Sequence, residues 1–264
     1  MKKLLNIVLW SLIGIAMIAV AIFVHRSYKH SVCSELVIEI NHGDCEPLFG
    51  QPEIYDIVMQ IEDSVVGNEL GDIELAAIKD SILNYPYVKS VEVYTTIMGK
   101  LKIETWQREP ILRVVNNLNN SFYIAQDGGI MPWQQGYPAR LLVASGYISD
   151  KITRKVLNDP IVLRNFSVND SLTVLTHLFD FTNYLIKDEF LKAQIEQVYV
   201  NNKSELELVP KVGKHLIIFG PPENIPEKFM KLKAFYKQSM NKAGWDTYET
   251  INLNFRDQVV CTKK

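Results

Sequence analysis

Cysteine is scarce in this chain: Cys33, Cys45 and Cys261 are the only three in 264 residues. So small and odd a number excludes a disulfide scaffold and leaves at least one thiol unpaired, while a Cys33–Cys45 bridge stays open in an oxidising compartment. Basic charge is not in excess either, with 28 Lys and Arg against 30 Asp and Glu. That balance excludes a nucleic-acid footprint. Phosphate-binding glycine patterns are missing, since neither G-x-x-x-x-G-K-[ST] nor G-x-G-x-x-G occurs, and Gly128-Gly129 reads as a hairpin turn. His177 and Asp180 have no G-x-S-x-G elbow or H-E-x-x-H to complete them. His42, Asp44 and Cys45 have no second cluster at ligand spacing and read as a turn. No catalytic residue, cofactor, metal or small-molecule substrate is expected. N-x-S/T triplets begin at Asn119, Asn165, Asn169 and Asn202, which chance explains in an Asn-rich chain.

What is present in abundance is an apolar run, Leu4 to Val24, with no charge and only Asn6 and Ser11 as clearly polar side chains. A helix of that length spans the ~30 Å hydrocarbon core of a bilayer at ~1.5 Å rise per residue. Lys2 and Lys3 precede it and His25, Arg26, Lys29 and His30 follow, so both ends suit an interface. Ala19-Val20-Ala21 has the pattern of a signal-peptidase site, but the run continues apolar through Val24. A retained anchor is therefore expected, with residues 1–3 as a cytoplasmic tail, 4–24 as the span and 25–35 as a juxtamembrane linker.

Beyond the linker, Leu36 to Ile40 alternates as a strand, and Ile54, Ile57, Val58 and Ile61 give a helix over 52–61 with Pro52 near its start. A second helix is predicted over about 72–84, capped by Asp72, with Ile73, Ala76, Ala77 and Leu83, together with Ile78 or Ile82, supplying its buried stripe. Val88, Val91 and Val93 begin a strand that turns at Met98-Gly99, and Leu101, Ile103 and Thr105 alternate with Lys100, Lys102 and Glu104 on the return. The order is β-α-α-β-β, with both helices on one side of a three-stranded sheet over 36–110.

The run from Tyr85 to Val114, YPYVKSVEVYTTIMGKLKIETWQREPILRV, resembles the POTRA domain of the FtsQ/DivIB cell-division family. Pro86, Val88, Val91, Leu101, Ile103, Arg108 and Pro110 stand at the places of that family's closing pattern. One departure is Ile97-Met98-Gly99, where the family usually has Trp-Pro in the hairpin turn.

Residues 111–264 read as a mainly antiparallel β domain with flanking helices. Phe122 to Ile124 and Leu141 to Gly146 are short strands, and Leu172, Leu175, Phe179, Thr182, Leu185 and Ile186 recur at helical spacing. Val198 to Val200, Glu205 to Val209 and His215 to Phe219 form a meander, and a helix over 226–241 carries Phe229, Leu232, Tyr236 and Met240 on one face. The last strand runs from Tyr248 to Phe255, with Ile251, Leu253 and Phe255 facing one way. The resemblance to the family continues in the Y-I-x-x-D-G-x-x-x-P turn from Tyr123 to Pro132, the hairpin at Val212-Gly213-Lys214, the helix with Lys228 and Lys231, and the closing Y-x-x-I-N-L-x-F-x-x-Q-V-V. Its spelling is similar to the form found in Bacteroidetes-type bacteria.

The fold class expected is thus α+β behind a single transmembrane helix. What the resemblance implies is a non-catalytic bitopic scaffold of the divisome in the cell inner membrane, its N-terminus cytoplasmic and its two domains periplasmic. It would hold FtsB-like and FtsL-like partners, with other divisome members on the POTRA domain, and couple septum assembly to septal wall synthesis. A chain-terminal strand commonly lies at a sheet edge and can accept an incoming strand. Tyr248, Thr250, Asn252, Asn254, Phe255, Gln258 and Val260 are accordingly the expected partner-binding residues. Two rivals are a membrane-anchored enzyme acting on envelope glycans through Asp180, Asp188 and Glu189, and a POTRA-type translocation component.

Overall fold

The computed structural model describes residues 30–133, 141–149, 173–240 and 244–264, with Trp10, 12–20, 22–23 and Leu163 as separate pieces. Of the expected span, those N-terminal pieces are helical, and Trp10, Ile15, Met17 and Phe23 are exposed. Among the described residues no helix is long and apolar enough to cross a membrane, and the rest of 4–24 lies outside them. Leu172, Asn165, Asn169 and Asn241 also lie outside the described residues.

The chain divides into two compact units. The first holds a three-stranded sheet in the order β1-β3-β2, from β1 (Glu35–Asn41), β2 (Val88–Thr95) and β3 (Lys100–Gln107). β3 is central, parallel to β1 and antiparallel to β2. Its period-two pattern decides the faces: Leu101 and Ile103 are fully buried, while Lys102 pairs with Glu39 and Glu104 on the other side. Helices α1 (Gln51–Met59) and α2 (Leu75–Leu83) bury Ile54, Val58, Ile78 and Ile82 against that apolar face.

Local chemistry sets the helix ends. Glu53 accepts from the Gly50 backbone N–H at 3.0 Å and Pro52 occupies the first turn, where a missing donor costs little. Asp72 does not cap α2 as predicted, because the helix starts three residues later. Ile73 is buried ahead of the helix, and Ala76 and Leu83 face solvent, so the stripe is narrower than expected.

The second unit is built on a nine-stranded sheet in the order β12-β11-β10-β9-β8-β7-β4-β5-β6. Its strands are β4 (Pro110–Val115), β5 (Ser121–Ala125), β6 (Ile130–Pro132), β7 (Leu142–Gly146), β8 (Ile195–Val200), β9 (Leu206–Pro210), β10 (Leu216–Gly220), β11 (Tyr248–Asn252) and β12 (Val260–Lys263). The β8-β9-β10 meander is antiparallel as predicted. The sheet is nonetheless mixed, since β4 and β7, β7 and β8, and β10 and β11 pair in parallel. Parallel neighbours need crossovers, and helices supply two of them. α3 (Thr173–Leu185) and α4 (Glu189–Gln194) lie between β7 and β8, and α5 (Ile225–Phe235) lies between β10 and β11.

The core of this unit gathers Phe181 from α3, Phe219 from β10 and Phe229 from α5, with ring centroids 5.1 to 5.4 Å apart. Such aromatic trios contribute large buried areas and fix the helices on the sheet. α5 stops at Phe235 and continues as a single π-helical stretch, Tyr236–Met240, instead of an α-helix to Asn241. All three cysteines are free thiols, so Cys33 and Cys45 are not bridged.

Candidate functional site

The residues singled out for partner binding fall on β11, β12 and the loop between them. β11 is not the edge that was expected. It is flanked by β10 on one side and β12 on the other, with Ile251 opposite Cys261 and Asn252 opposite Val260. The edge belongs to β12, which turns one side of its backbone away from the sheet with no strand beside it among the described residues. Such a row of amides and carbonyls is a template for another strand.

Burial sorts the seven residues. Ile251 and Leu253 are core, whereas Phe255 is 44% exposed and Val260 41% exposed, so Phe255 does not join them inside. Tyr248 packs edge-on against Phe235 at 5.4 Å, Thr250 and Asn252 are half-buried, and Asn254 and Gln258 are exposed. Burial pushes the thiol of Cys261, the one cysteine on the edge strand, above its ordinary pKa.

The loop from Leu253 to Val259 is held from below by α5. Lys231 Nζ donates to the carbonyl oxygens of Leu253 at 3.0 Å and Phe255 at 2.7 Å. Leu253 N–H donates to Ile218 O at 2.9 Å, and Asn254 N–H to Asn252 Oδ1 at 2.9 Å. Three residues along, Lys228 is buried; it donates to Pro221 O at 2.7 Å and lies 4.8 Å from the centre of the Phe219 ring. Burial lowers its pKa, with Glu223 opposing. The sequence marked both lysines only as part of a family pattern; their common role as clamps on the ends of β10 and β11 depends on a fold that brings Leu253 over α5.

The glycan-hydrolase alternative meets a different arrangement. Asp188 caps α4 by accepting from Phe190 and Leu191 N–H, and it pairs with Lys233. The Lys233 ammonium and those amides hold its carboxyl below the ordinary range. It sits in a groove of about 510 Å³ with Tyr184, Phe229, Met230 and Lys233, but Glu189 and Asp180 face solvent. A carboxylate stabilised as the anion is a poor general acid. His177 is half-buried on α3. Among the described residues no group of three His, Cys, Asp or Glu side chains is placed to hold a metal ion.

The comparisons with known proteins agree with this architecture. The POTRA-like domain family matches residues 31–106. No curated protein matches the chain. The family described as FtsQ/DivIB, C-terminal related, matches residues 109–262, more than half of the chain. The protein belongs to the FtsQ/DivIB family.

Proposed function

We propose that this cell-division protein is a non-catalytic scaffold, anchored in the cell inner membrane by residues 4–24, with both folded units on the periplasmic side. Its work is to bind FtsB-like and FtsL-like partners and so couple septum assembly to septal wall synthesis. Family membership supports the division role. The observation that carries the binding role is the open backbone edge of β12, flanked by exposed Val260 and Phe255. Backbone hydrogen bonds along such an edge give affinity, and alternating side chains give specificity. Tyr248, Thr250, Asn252, Asn254, Phe255, Gln258 and Val260 are proposed as the surface that supplies it.

The test is capture by the tagged full-length protein from membranes of its own cells in mild detergent. Co-purification of the FtsB-like and FtsL-like proteins, lost on truncation after Arg256, is the expected result. Retention of neither by the intact chain overturns the reading. For orientation, an exported reporter fused after Lys264 should be active; an inactive but stable fusion overturns the periplasmic placement.

A further inference from the structure

The turn between β2 and β3 ends the first unit in a pair of apolar side chains, Ile97 and Met98, which are 95% and 84% exposed. A turn facing water is ordinarily made of Gly, Asn, Asp or Ser, and nothing among the described residues covers these two. The turn is not loose. Thr96 N–H donates to Lys100 O at 2.8 Å and Gly99 N–H to Thr96 O at 3.0 Å. Gly99 has φ +77°, and a Cβ there would stand 3.1 Å from the carbonyl oxygen of Val32. Ser34 donates to Gly99 O from both its backbone N–H, at 2.8 Å, and its hydroxyl, at 3.1 Å. The hairpin tip is therefore tied by hydrogen bonds to the segment Val32 to Ser34, and Val32 adds a third exposed apolar side chain at 55%.

That segment is where the chain arrives from the apolar run. β1 and β3 are parallel and start together, Glu35 opposite Lys100, so the arriving chain and the hairpin tip occupy the same end of the sheet. Val32 lies only eight Cα–Cα steps after Val24. Fully extended they reach at most about 26–29 Å, and any less extended path brings the tip closer. Lys100 pairs with Glu35, the His30 ring is hydrogen-bonded to Glu69 at 2.7 Å, and the tip itself carries no charged side chain.

We propose that Ile97 and Met98, with Val32 beside them, rest in the interfacial layer of the bilayer that holds residues 4–24. This rests on reading that stretch as a membrane span. Two adjoining apolar side chains are far too small for a stable protein interface of about 800 Å² per partner, but they suit shallow insertion between headgroups. Together with the span they form a two-point attachment that sets the tilt of the β1-β3-β2 sheet relative to the membrane.

The test uses the full-length protein in nanodiscs of phosphatidylethanolamine and phosphatidylglycerol, with Met98→Cys carrying an environment-sensitive fluorophore. Ser90→Cys, exposed near the opposite end of β2, is the control. The parent chain, labelled in parallel, gives the background from its own three cysteines. The expected result is a blue shift at position 98 and loss of its emission when lipids carry a nitroxide near the headgroup, with neither at position 90. Ile97→Asp in the Met98→Cys chain should abolish both effects. Aqueous emission at position 98 in a protein that survives alkaline extraction of the membrane overturns the tip contact alone. Release of the protein by alkaline extraction overturns the membrane span and the tip contact together. A blue shift that appears only when the division partners are reconstituted, without nitroxide quenching, makes the tip a protein contact and also overturns the proposal.

Discussion

The guanidinium of Arg108 is paired with the carboxylate of Asp127 across the backbone of Gly129. Arg108 is buried, and its partner is positioned by the turn after β5, where Gly129 N–H donates to Asp127 Oδ1 at 3.0 Å. A Cβ on Gly129 would lie 2.2 Å from Arg108 Nη1 and 2.8 Å from its Cζ. The two residues, which the sequence offered in separate family patterns, form one ion pair within the second unit, its guanidinium buried and its carboxylate partly exposed.

Removing that pair should destabilise the second unit. Asp127→Ala leaves a buried guanidinium without its carboxylate, at a cost of about 2 kcal/mol for a hydrogen bond to a charged group. Gly129→Ala should do comparable harm by displacing Arg108, and Arg108→Ala should relieve the clash in the double variant. Urea midpoints of the parent, Asp127→Ala, Gly129→Ala, Arg108→Ala and the Arg108/Gly129 double variant check this; additive losses in the double variant would show that Arg108 and Gly129 do not touch.

Acid should weaken the same unit through His215. The imidazole is buried, and its Nε2 is 2.8 Å from the Tyr236 hydroxyl. Burial pushes its pKa below the ordinary 6.5, with the Trp245 backbone and Asp246 opposing and Lys264 adding to the fall. An unfolded chain then takes up a proton that the folded chain refuses, so the stabilisation is whole above about 6.5 and declines as pH falls below it. Unfolding midpoints at pH 7.5 and 5.5 should differ in the parent and differ less in His215→Gln. An equal drop in both proteins would assign the acid sensitivity to other groups.

These relationships mark how far the sequence could be read. Elements with a strict period were legible: the alternation of Leu101, Ile103 and Thr105 gave a strand and its faces, and Leu175, Phe179 and Leu185 gave a helix. β4 escaped because Pro110–Val115 has no clean alternation, its first three residues all being buried in the middle of a sheet. α4 escaped because six residues make less than two turns. The parallel pairs and the covering of β11 by β12 were not legible at all, since which strands become neighbours is decided by long-range packing. The proposed partner surface inherits that division. Its residues could be placed on the closing strands, but the open edge, and the Lys231 clamp beneath it, emerge only from the assembled sheet.

A close packing behind that clamp offers a further test. Gly220 has φ +75°, and a Cβ on it would stand 1.7 Å from Oδ1 and 2.4 Å from Cγ of Asn254. Gly220→Ala should therefore cost about 1–3 kcal/mol, from left-handed backbone and from the clash together. Asn254→Ala in the same chain removes the clash and leaves the backbone strain, so it should restore part of the loss. A double-mutant cycle reads the coupling. Zero coupling would mean that Asn254 does not lie over Gly220.

The edge of β12 gives the most direct prediction about function. In an antiparallel pair, successive residues of a strand turn their amides alternately toward the partner strand and away from it. Of Cys261 and Thr262, opposite Ile251 and Thr250, one therefore directs its amide to β11 and the other to the open side. Proline at the open position removes a donor that only an incoming strand would use. That variant should fold with an unchanged midpoint and lose the FtsB-like and FtsL-like proteins in capture. Proline at the other position should detach β12 and lower stability as well. Proline at Asn252 cannot separate binding from folding, because β11 has a strand on each side. If both β12 variants remain folded and still retain the partners, strand addition at this edge is not how the protein binds them.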